Sequence, residues 1–155
     1  MRINKFYIAL GVLIAFAMFF ELAAHADESN QQTTVTFSAP VQIPGQVLPA
    51  GTYVFQQADP DNDQNLVRIY SADRKVVYAT LPTVPTQRKD IGDTTITLAQ
   101  PENGQPDMLV KWFYPGRATG HEFIYSRQQA QEIAHASQET LTGDHELSSQ
   151  QTAGD

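Results

Sequence analysis

The chain has 155 residues, with 10 basic and 17 acidic side chains, no cysteine and 41% hydrophobic residues. Its formal charge of −7 argues against nucleic acid and anionic lipid as partners, because both are polyanions that repel an acidic protein. The absence of cysteine excludes disulfides, thiolate nucleophiles and thiolate metal ligands. The length corresponds to about one domain.

The segment 1–26 has the order of a secretory signal peptide. Arg2 and Lys5 precede an apolar run at 6–20, and Ala24-His25-Ala26 offers small residues at a cleavage site. The run is shorter than the about 20 residues of a spanning helix, although an uncut membrane anchor is the alternative. We therefore expect a periplasmic or extracellular protein with no stable membrane span after signal cleavage.

A β-rich domain is predicted at 33–137, after a flexible N-terminus at 27–32. Alternating polar and apolar residues predict strands at 34–39, 41–43, 52–56, 66–70, 75–81, 94–99, 107–114 and 122–125. Pro82 and Pro85 are expected to end the strand at 75–81, because proline lacks a ladder donor. Seven or eight short strands indicate an all-β fold, a single antiparallel β-sandwich or small barrel.

One short C-terminal helix is predicted after the last strand. Ser126 is its expected N-cap, and Gln129 completes a capping box. The apolar stripe of this helix consists of Ala130, Ile133 and Ala134. The remainder, 138–155, is composed of Ser, Thr, Gln and acidic residues with little to bury, which predicts a disordered acidic tail.

Aromatic residues crowd into the last predicted hairpin, 107–125. Cross-strand aromatic pairs stabilise a core, whereas an exposed Trp/Tyr platform binds sugar rings or a protein. The candidate binding residues, on this hairpin and its loop at 115–120, are Trp112, Tyr114, Arg117, His121 and Tyr125. Strict alternation places Trp112 and Tyr114 on the face of Val110, opposite Leu109. Binding requires Trp112 or Tyr114 to be exposed.

Two further patterns suggest chemistry. Asp59-x-Asp61-x-Asp63-x-Asn65 resembles the opening of a calcium-binding loop, but the later glycine and glutamate are missing. We therefore interpret it as a solvated hairpin loop, with weak Ca²⁺ binding as the alternative. Asp107 and Glu122 would form the acid–base pair of a hydrolase if their carboxyl groups lay about 5–9.5 Å apart in one cleft. His121 and Glu122 point to opposite faces of a strand, so no metal site and no cofactor are predicted.

Two stretches carry a resemblance to known proteins. The first is PVQIPGQVLPAGTYVF at 40–55, and the second combines WFYPG at 112–116 with G-x-E-F-I-Y at 120–125. They resemble a family of short exported bacterial proteins with no assigned function, over about residues 33–136. The resemblance implies an exported β-rich domain. The segment LPAGTY at 48–53 is also similar to turns in prealbumin-like β-sandwich modules of envelope proteins.

Together these observations predict an exported, non-catalytic envelope or secreted module that binds a protein or glycan partner. Nucleic acid is not an expected partner, since the chain is acidic. The alternatives are a cell-wall or polysaccharide hydrolase that uses a carboxylate pair, and a purely structural envelope protein.

Overall fold

The computed structural model describes residues 31–143 and 146–149. The predicted signal peptide at 1–26 lies outside the described residues, as do 27–30 of the predicted flexible N-terminus. Within the described ranges, no helix has the length and apolarity that crossing a membrane requires.

The described chain is an all-β protein with one short helix, as the sequence predicts. Its strands are β1 (Gln32–Phe37), β2 (Val41–Ile43), β3 (Gln46–Leu48), β4 (Gly51–Asp59), β5 (Asp63–Ser71), β6 (Val77–Gln87), β7 (Thr94–Gln100), β8 (Asp107–Phe113), β9 (Thr119–Phe123), β10 (Ser137–Gly143) and β11 (Glu146–Ser149). The helix α1 (Arg127–His135) lies between β9 and β10.

Strand pairing gives the order β10-β7-β8-β9-β6-β5-β4-β1-β11, with the β2–β3 hairpin attached to β8. Most neighbouring strands are antiparallel, but β11 runs parallel to β1 and β2 runs parallel to β8. The sheet is therefore mixed, and it contains more short strands than the seven or eight predicted. Its path ends at two different strands, so the small-barrel alternative is not realised.

The long strand β6 belongs to both halves of the sheet. It pairs with β5 as far as Pro82, and its residues from Thr83 to Gln87 pair with β9. The prediction that Pro82 and Pro85 end this strand is wrong, because the strand changes its partner at that point instead. Pro85 has only β9 as a described neighbour, and a strand with one free side tolerates proline.

The two halves of the sheet pack face to face over one apolar core. Phe55 of β4 contacts Trp112 of β8 and Phe123 of β9 edge to face, with ring centroids 6.0 and 6.5 Å apart. The largest fully buried side chains are Trp112, Phe37, Phe55, Ile43, Leu48, Ile69, Ile96, Leu98, Leu109, Val35 and Val67. This packing has the layered arrangement of a β-sandwich.

The helix begins where the sequence predicts. Ser126 Oγ accepts a hydrogen bond from the backbone N–H of Gln129 at 3.4 Å. The apolar cluster beneath the helix consists of Ala99, Met108, Val110, Tyr125, Ile133 and Ala136. Ala130 and Ala134 are both exposed, so of the predicted apolar stripe only Ile133 packs against this cluster.

The described part of the segment predicted to be a disordered tail forms strands. β10 pairs with β7 and β11 pairs with β1, so each end of the sheet gains a strand. Leu141 packs against the core, and Gln100 Nε2 donates to Glu139 Oε2 at 2.8 Å. The composition of this segment indicates only that its side chains bury little. Open strand edges on β1 and β7 supply backbone hydrogen bonds that composition does not reveal.

Candidate functional site

The five predicted binding residues do not form one exposed surface. Trp112, Tyr114 and His121 have only 0%, 7% and 6% of their surface exposed, and Tyr125 is half-buried. Arg117 is exposed on the loop between β8 and β9. The expected Trp/Tyr platform is therefore wrong, and both of its aromatic residues belong to the core.

A β-bulge in β8 explains why strict alternation fails. Two consecutive residues of β7 pair with Lys111 and Leu109, so Val110 has no partner on that strand. The extra residue shifts the alternation by one position. Trp112 consequently shares the core side with Leu109, while Val110 packs with Met108 on the helix side.

Trp112 and His121 form a buried polar network that is satisfied within the chain. Their rings stack with centroids 5.3 Å apart, and Trp112 Nε1 donates to Thr33 Oγ1 at 3.1 Å. His121 Nδ1 lies 3.0 Å from Thr83 Oγ1, whose hydrogen is donated to Asn65 O, so this arrangement assigns the proton to Nδ1. Burial lowers the pKa of His121 to about 4, which leaves the ring neutral near pH 7.

Tyr125 joins two strands rather than facing a ligand. Its hydroxyl lies 2.8 Å from the carbonyl oxygen of Leu109 and 3.0 Å from that of Gln42. Burial raises the pKa of Tyr125 well above its usual range, so the phenol stays protonated. The residue is therefore a structural contact between β8 and β2.

The predicted contact loop, 115–120, is held in place by Arg88. The Arg88 guanidinium donates to four backbone carbonyls, those of Gly92, Asp93, Tyr114 and Arg117. It also lies over the Phe113 ring, with Cζ 5.2 Å from the centroid. The Arg117 side chain itself has no hydrogen-bond or ion-pair partner among the described residues. Arg88 is thus committed to the fold, whereas the side chain of Arg117 is free.

Asp107 and Glu122 do not form the pair that the hydrolase alternative needs. Glu122 is opposite Lys111, with Oε2 and Nζ 3.8 Å apart. Asp107 precedes Leu109 by two positions, so the two side chains lie on the same side of β8. The bulge after Leu109 leaves Lys111 on the opposite side. Burial and the nearby Glu139 carboxylate raise the pKa of Asp107. The two carboxylates thus lie on opposite faces of the sheet.

The acidic loop with a calcium-like spacing is a hairpin turn between β4 and β5. Asp59 Oδ1 accepts a hydrogen bond from the backbone N–H of Asn62 at 3.2 Å, and Asp63 Oδ1 accepts one from Asn65 at 3.0 Å. These carboxylates therefore stabilise the turn itself. No group of three or more His, Asp or Glu side chains in residues 31–143 and 146–149 is arranged to hold a metal ion.

A shallow cleft lies beside the C-terminal end of α1. It is lined by Pro101, Glu102, Asn103, Glu132, His135 and Ala136. Each of these residues is exposed or half-buried. The cleft therefore lacks the buried, convergent polar groups that orient a small ligand.

A different surface collects cationic and amide side chains on the outer side of β1, β4 and β5. We call it the arginine face and define it as Gln32, Gln56, Arg68, Tyr70 and Arg74. Gln32 is opposite Gln56 on β1 and β4, and Gln56 is opposite Arg68 on β4 and β5. Directly opposite residues share a face, and Tyr70 follows Arg68 by two positions. Arg74 reaches back from the turn after β5.

Both arginines of this face contact Tyr70. The Arg74 guanidinium lies over the Tyr70 ring, with Cζ 5.1 Å from the centroid. Arg74 Nη1 donates to Gln32 Oε1 at 2.7 Å, and Nη2 donates to Gln56 Oε1. Arg68 Nη1 lies 3.4 Å from the Tyr70 hydroxyl, and its Nε donates to a threonine hydroxyl of β6 at 3.2 Å. Both guanidiniums are thus held in contact with one tyrosine, one over its ring and the other at its hydroxyl.

The arginine face keeps its positive charge. No ion pair of the described residues involves Arg68 or Arg74, whose partners are amides, hydroxyls and a ring. The nearest acid in sequence, Asp73, accepts hydrogen bonds from Ser71 Oγ at 2.7 Å and from the Lys75 N–H at 3.0 Å. These hydrogen bonds lower the pKa of Asp73, and the one from Ser71 has the largest effect. A cationic surface thus lies on an otherwise acidic chain.

Arg74 has a left-handed backbone, with φ of 61°. Its N–H donates to Ser71 O at 2.9 Å, which closes the turn into β6. This conformation costs a side-chain-bearing residue about 1 kcal/mol and favours glycine. The sequence predicts a turn here but no role for Arg74, because the glutamines that hold it are 42 and 18 positions away. The sequence signal for this surface is the set of polar residues at alternate positions of β1, β4 and β5, which indicates the outer face of these strands.

Comparison of the chain with protein-family models, with curated proteins and with solved structures gives no significant match. The resemblances to short exported β-rich proteins and to prealbumin-like modules therefore stay predictions. The function is therefore inferred from the charges and hydrogen-bond donors at the surface.

Proposed function

We propose that this chain is an exported, non-catalytic module that binds a partner of the cell envelope or the extracellular medium through the arginine face. The observation that supports this is the pair of guanidiniums, Arg68 and Arg74, which are fixed at the sheet surface and have no carboxylate partner among the described residues. A folded protein of charge −7 has acidic residues in excess to neutralise such a pair. Because no described carboxylate pairs with these two arginines, their remaining N–H groups can donate to a ligand.

The shape of the arginine face suits an extended partner. Its residues cross three neighbouring strands, β1, β4 and β5, which span about 10 Å at the usual strand spacing. Tyrosine and arginine are the side chains that are enriched in the centres of binding interfaces. A flat face with such residues fits a polymer or a protein surface better than an enclosed small molecule.

The two alternatives make different predictions. A purely structural envelope protein has no ligand, and its stability responds to none. A hydrolase would need catalytic carboxylates other than Asp107 and Glu122, because these two lie on opposite faces of the sheet.

Thermal unfolding of the exported, purified protein tests the proposal. The panel contains wall glycans, polysaccharides, soluble envelope proteins, divalent metals and a chelator. A ligand at about 100 times its Kd adds about 2.7 kcal/mol, which is a shift of several degrees in Tm. We expect a selective shift for the wild type that is lost in the double variant Arg68→Gln, Arg74→Asn.

The matched control is the double variant Lys89→Gln, Arg127→Gln, which removes two positive charges from exposed side chains outside the arginine face. This variant should keep the shift. If no partner shifts the wild type, the proposal fails and the structural alternative gains support. If the double variant of the arginine face responds like the wild type, the partner binds elsewhere and the arginine face is not the binding site.

A further inference from the structure

We infer that the partner of the arginine face is an acidic polysaccharide, bound through its carboxylate or sulfate groups by Arg68 and Arg74. This inference rests on the proposed function and specifies its ligand class. It depends on the donors that remain, on the state of the Tyr70 ring and on the conformation of Arg74.

The first step concerns the donors. A guanidinium has five N–H donors, and the described bonds occupy two of them in Arg68 and two in Arg74. Three N–H groups on each side chain are therefore available. Gln32 and Gln56 hold Arg74 in place, so little rotamer entropy is left to lose on binding. Fixed guanidinium forks match the two oxygens of a carboxylate or sulfate.

The second step separates an acidic from a neutral glycan. Neutral sugars are commonly bound by stacking on an open aromatic ring, but the Tyr70 ring already has the Arg74 guanidinium over it. Val77 lies opposite Tyr70 in the ladder and is 53% exposed, so a C–H face of a sugar has an apolar neighbour beside the charges. Charge, rather than ring stacking, is therefore the main attraction.

The third step separates a polysaccharide from a nucleic acid. Single-stranded nucleic acid needs open aromatic side chains for its bases together with a long cationic groove. In the described turn between β5 and β6, Lys75 adds one further positive charge, and Asp73 in the same turn is acidic. The net charge of −7 disfavours long contact with a dense polyanion. A few saccharide units with one acidic group each are compatible with two arginines.

The conformation of Arg74 points the same way. A left-handed backbone favours glycine or asparagine, yet the chain has a long cationic side chain at this position. Strain of this kind is often found at functional sites, where the surrounding structure maintains it. From this position the Arg74 guanidinium lies over Tyr70 and bonds to Gln32 and Gln56.

Titration calorimetry with defined polymers tests the inference. The probes are polygalacturonate for carboxylates, dextran sulfate for sulfates, dextran as the neutral polysaccharide, polyglutamate as an acidic polypeptide, and single-stranded DNA. We expect binding of polygalacturonate or dextran sulfate but not of dextran. Affinity should fall about 10- to 100-fold in Arg74→Asn and in Arg68→Gln, and should not change in Arg127→Gln, which removes one charge from an exposed arginine of α1. Added salt should weaken the binding.

Arg74→Gly provides a second variant that the left-handed turn tolerates, and Tm measurements confirm that each variant is folded. The inference is overturned if dextran binds as tightly as the acidic polymers, if polyglutamate or DNA binds better, or if Arg127→Gln weakens binding equally. A neutral partner that stabilises the wild type but not the double variant keeps the proposed function and overturns only this inference. If no partner or probe binds, both fail.

Discussion

The buried network around Trp112 and the arginine face each combine an aromatic ring with hydrogen-bonded polar side chains, but they differ in which donors and charges folding leaves unpaired. Trp112 and His121 each have a hydrogen-bond partner inside the chain, and Tyr125 does as well. Arg68 and Arg74 are held by neutral groups and keep both charge and donors. Residue type alone therefore does not identify a binding surface, whereas the donors and charges that remain after folding do.

Replacement of Trp112 tests the interior side of this comparison with the largest expected effect. Trp112→Ala removes a fully buried ring between Phe55 and His121, which should cost about 3–5 kcal/mol of unfolding free energy. Denaturant unfolding measures this loss. A Tm close to that of the wild type would show that Trp112 is not a core residue. Arg117→Ala, at an exposed position, serves as the control.

The pH dependence of stability tests the buried histidine. The pKa of His121 is about 4 in the folded chain and 6.5 when unperturbed, so at higher pH both states are neutral. As pH falls from about 6.5 to about 4, the unfolded chain takes up a proton that the folded chain does not. Stability should therefore fall by about 3 kcal/mol across this window.

Chemical unfolding at a series of pH values measures this loss for the wild type and for His121→Gln. The carboxylates titrate in both proteins, so the difference between the two curves isolates His121. Parallel curves between pH 6.5 and 4 would contradict a buried, neutral imidazole.

Gly120 tests how tightly β9 approaches β8 within the network. A Cβ atom at this position would lie 2.5 Å from Phe113 Cδ1 and 2.5 Å from the Trp112 carbonyl oxygen. Gly120→Ala should cost about 1–3 kcal/mol, because the Trp112 backbone oxygen cannot move away cheaply. Gly92→Ala is the control, because a Cβ atom at Gly92 would have open space around it. Gly104 also has open space, but its left-handed φ of 69° would strain an alanine. A Gly120→Ala variant as stable as Gly92→Ala would refute this packing.

The smallest stability effect is expected on the arginine face. Arg74→Asn loses two hydrogen bonds to glutamine side chains but relieves the left-handed backbone, so its unfolding free energy should stay within about 0.5 kcal/mol of the wild type. Denaturant unfolding of Arg74→Asn measures this directly. A loss as large as that of Gly120→Ala would mean that Arg74 maintains the fold rather than a ligand surface.

The parts of the fold that depend on neighbouring residues along the chain were predictable. Alternation at 94–99 and capping chemistry at Ser126 are local, and the structure has β7 and α1 there. The bulge at Val110 and the change of partner at Pro82 depend on strands that are distant in sequence. Strict alternation therefore predicts the wrong face for Trp112. The local rule for proline likewise predicts an end of β6 at Pro82, although the strand continues with a new partner.

The candidate site was less predictable than the fold, for the same reason. The aromatic hairpin is visible in the sequence because its residues are contiguous, but contiguity does not reveal burial. The arginine face depends on Gln32 and Arg74, which lie 42 positions apart and meet only after β1, β4 and β5 have paired. No pattern in a single segment contains that information.

The shared strand β6 has a consequence for how the protein opens. Since the same strand pairs with β5 and with β9, loss of either half removes a partner of the other. We expect amide hydrogens of Ile69 and Phe123 to exchange through one common opening, with the free energy of global unfolding. Proteases cut segments that open locally, and this chain has no cysteine and hence no disulfide that would limit such opening. Its resistance to digestion should therefore follow its total stability.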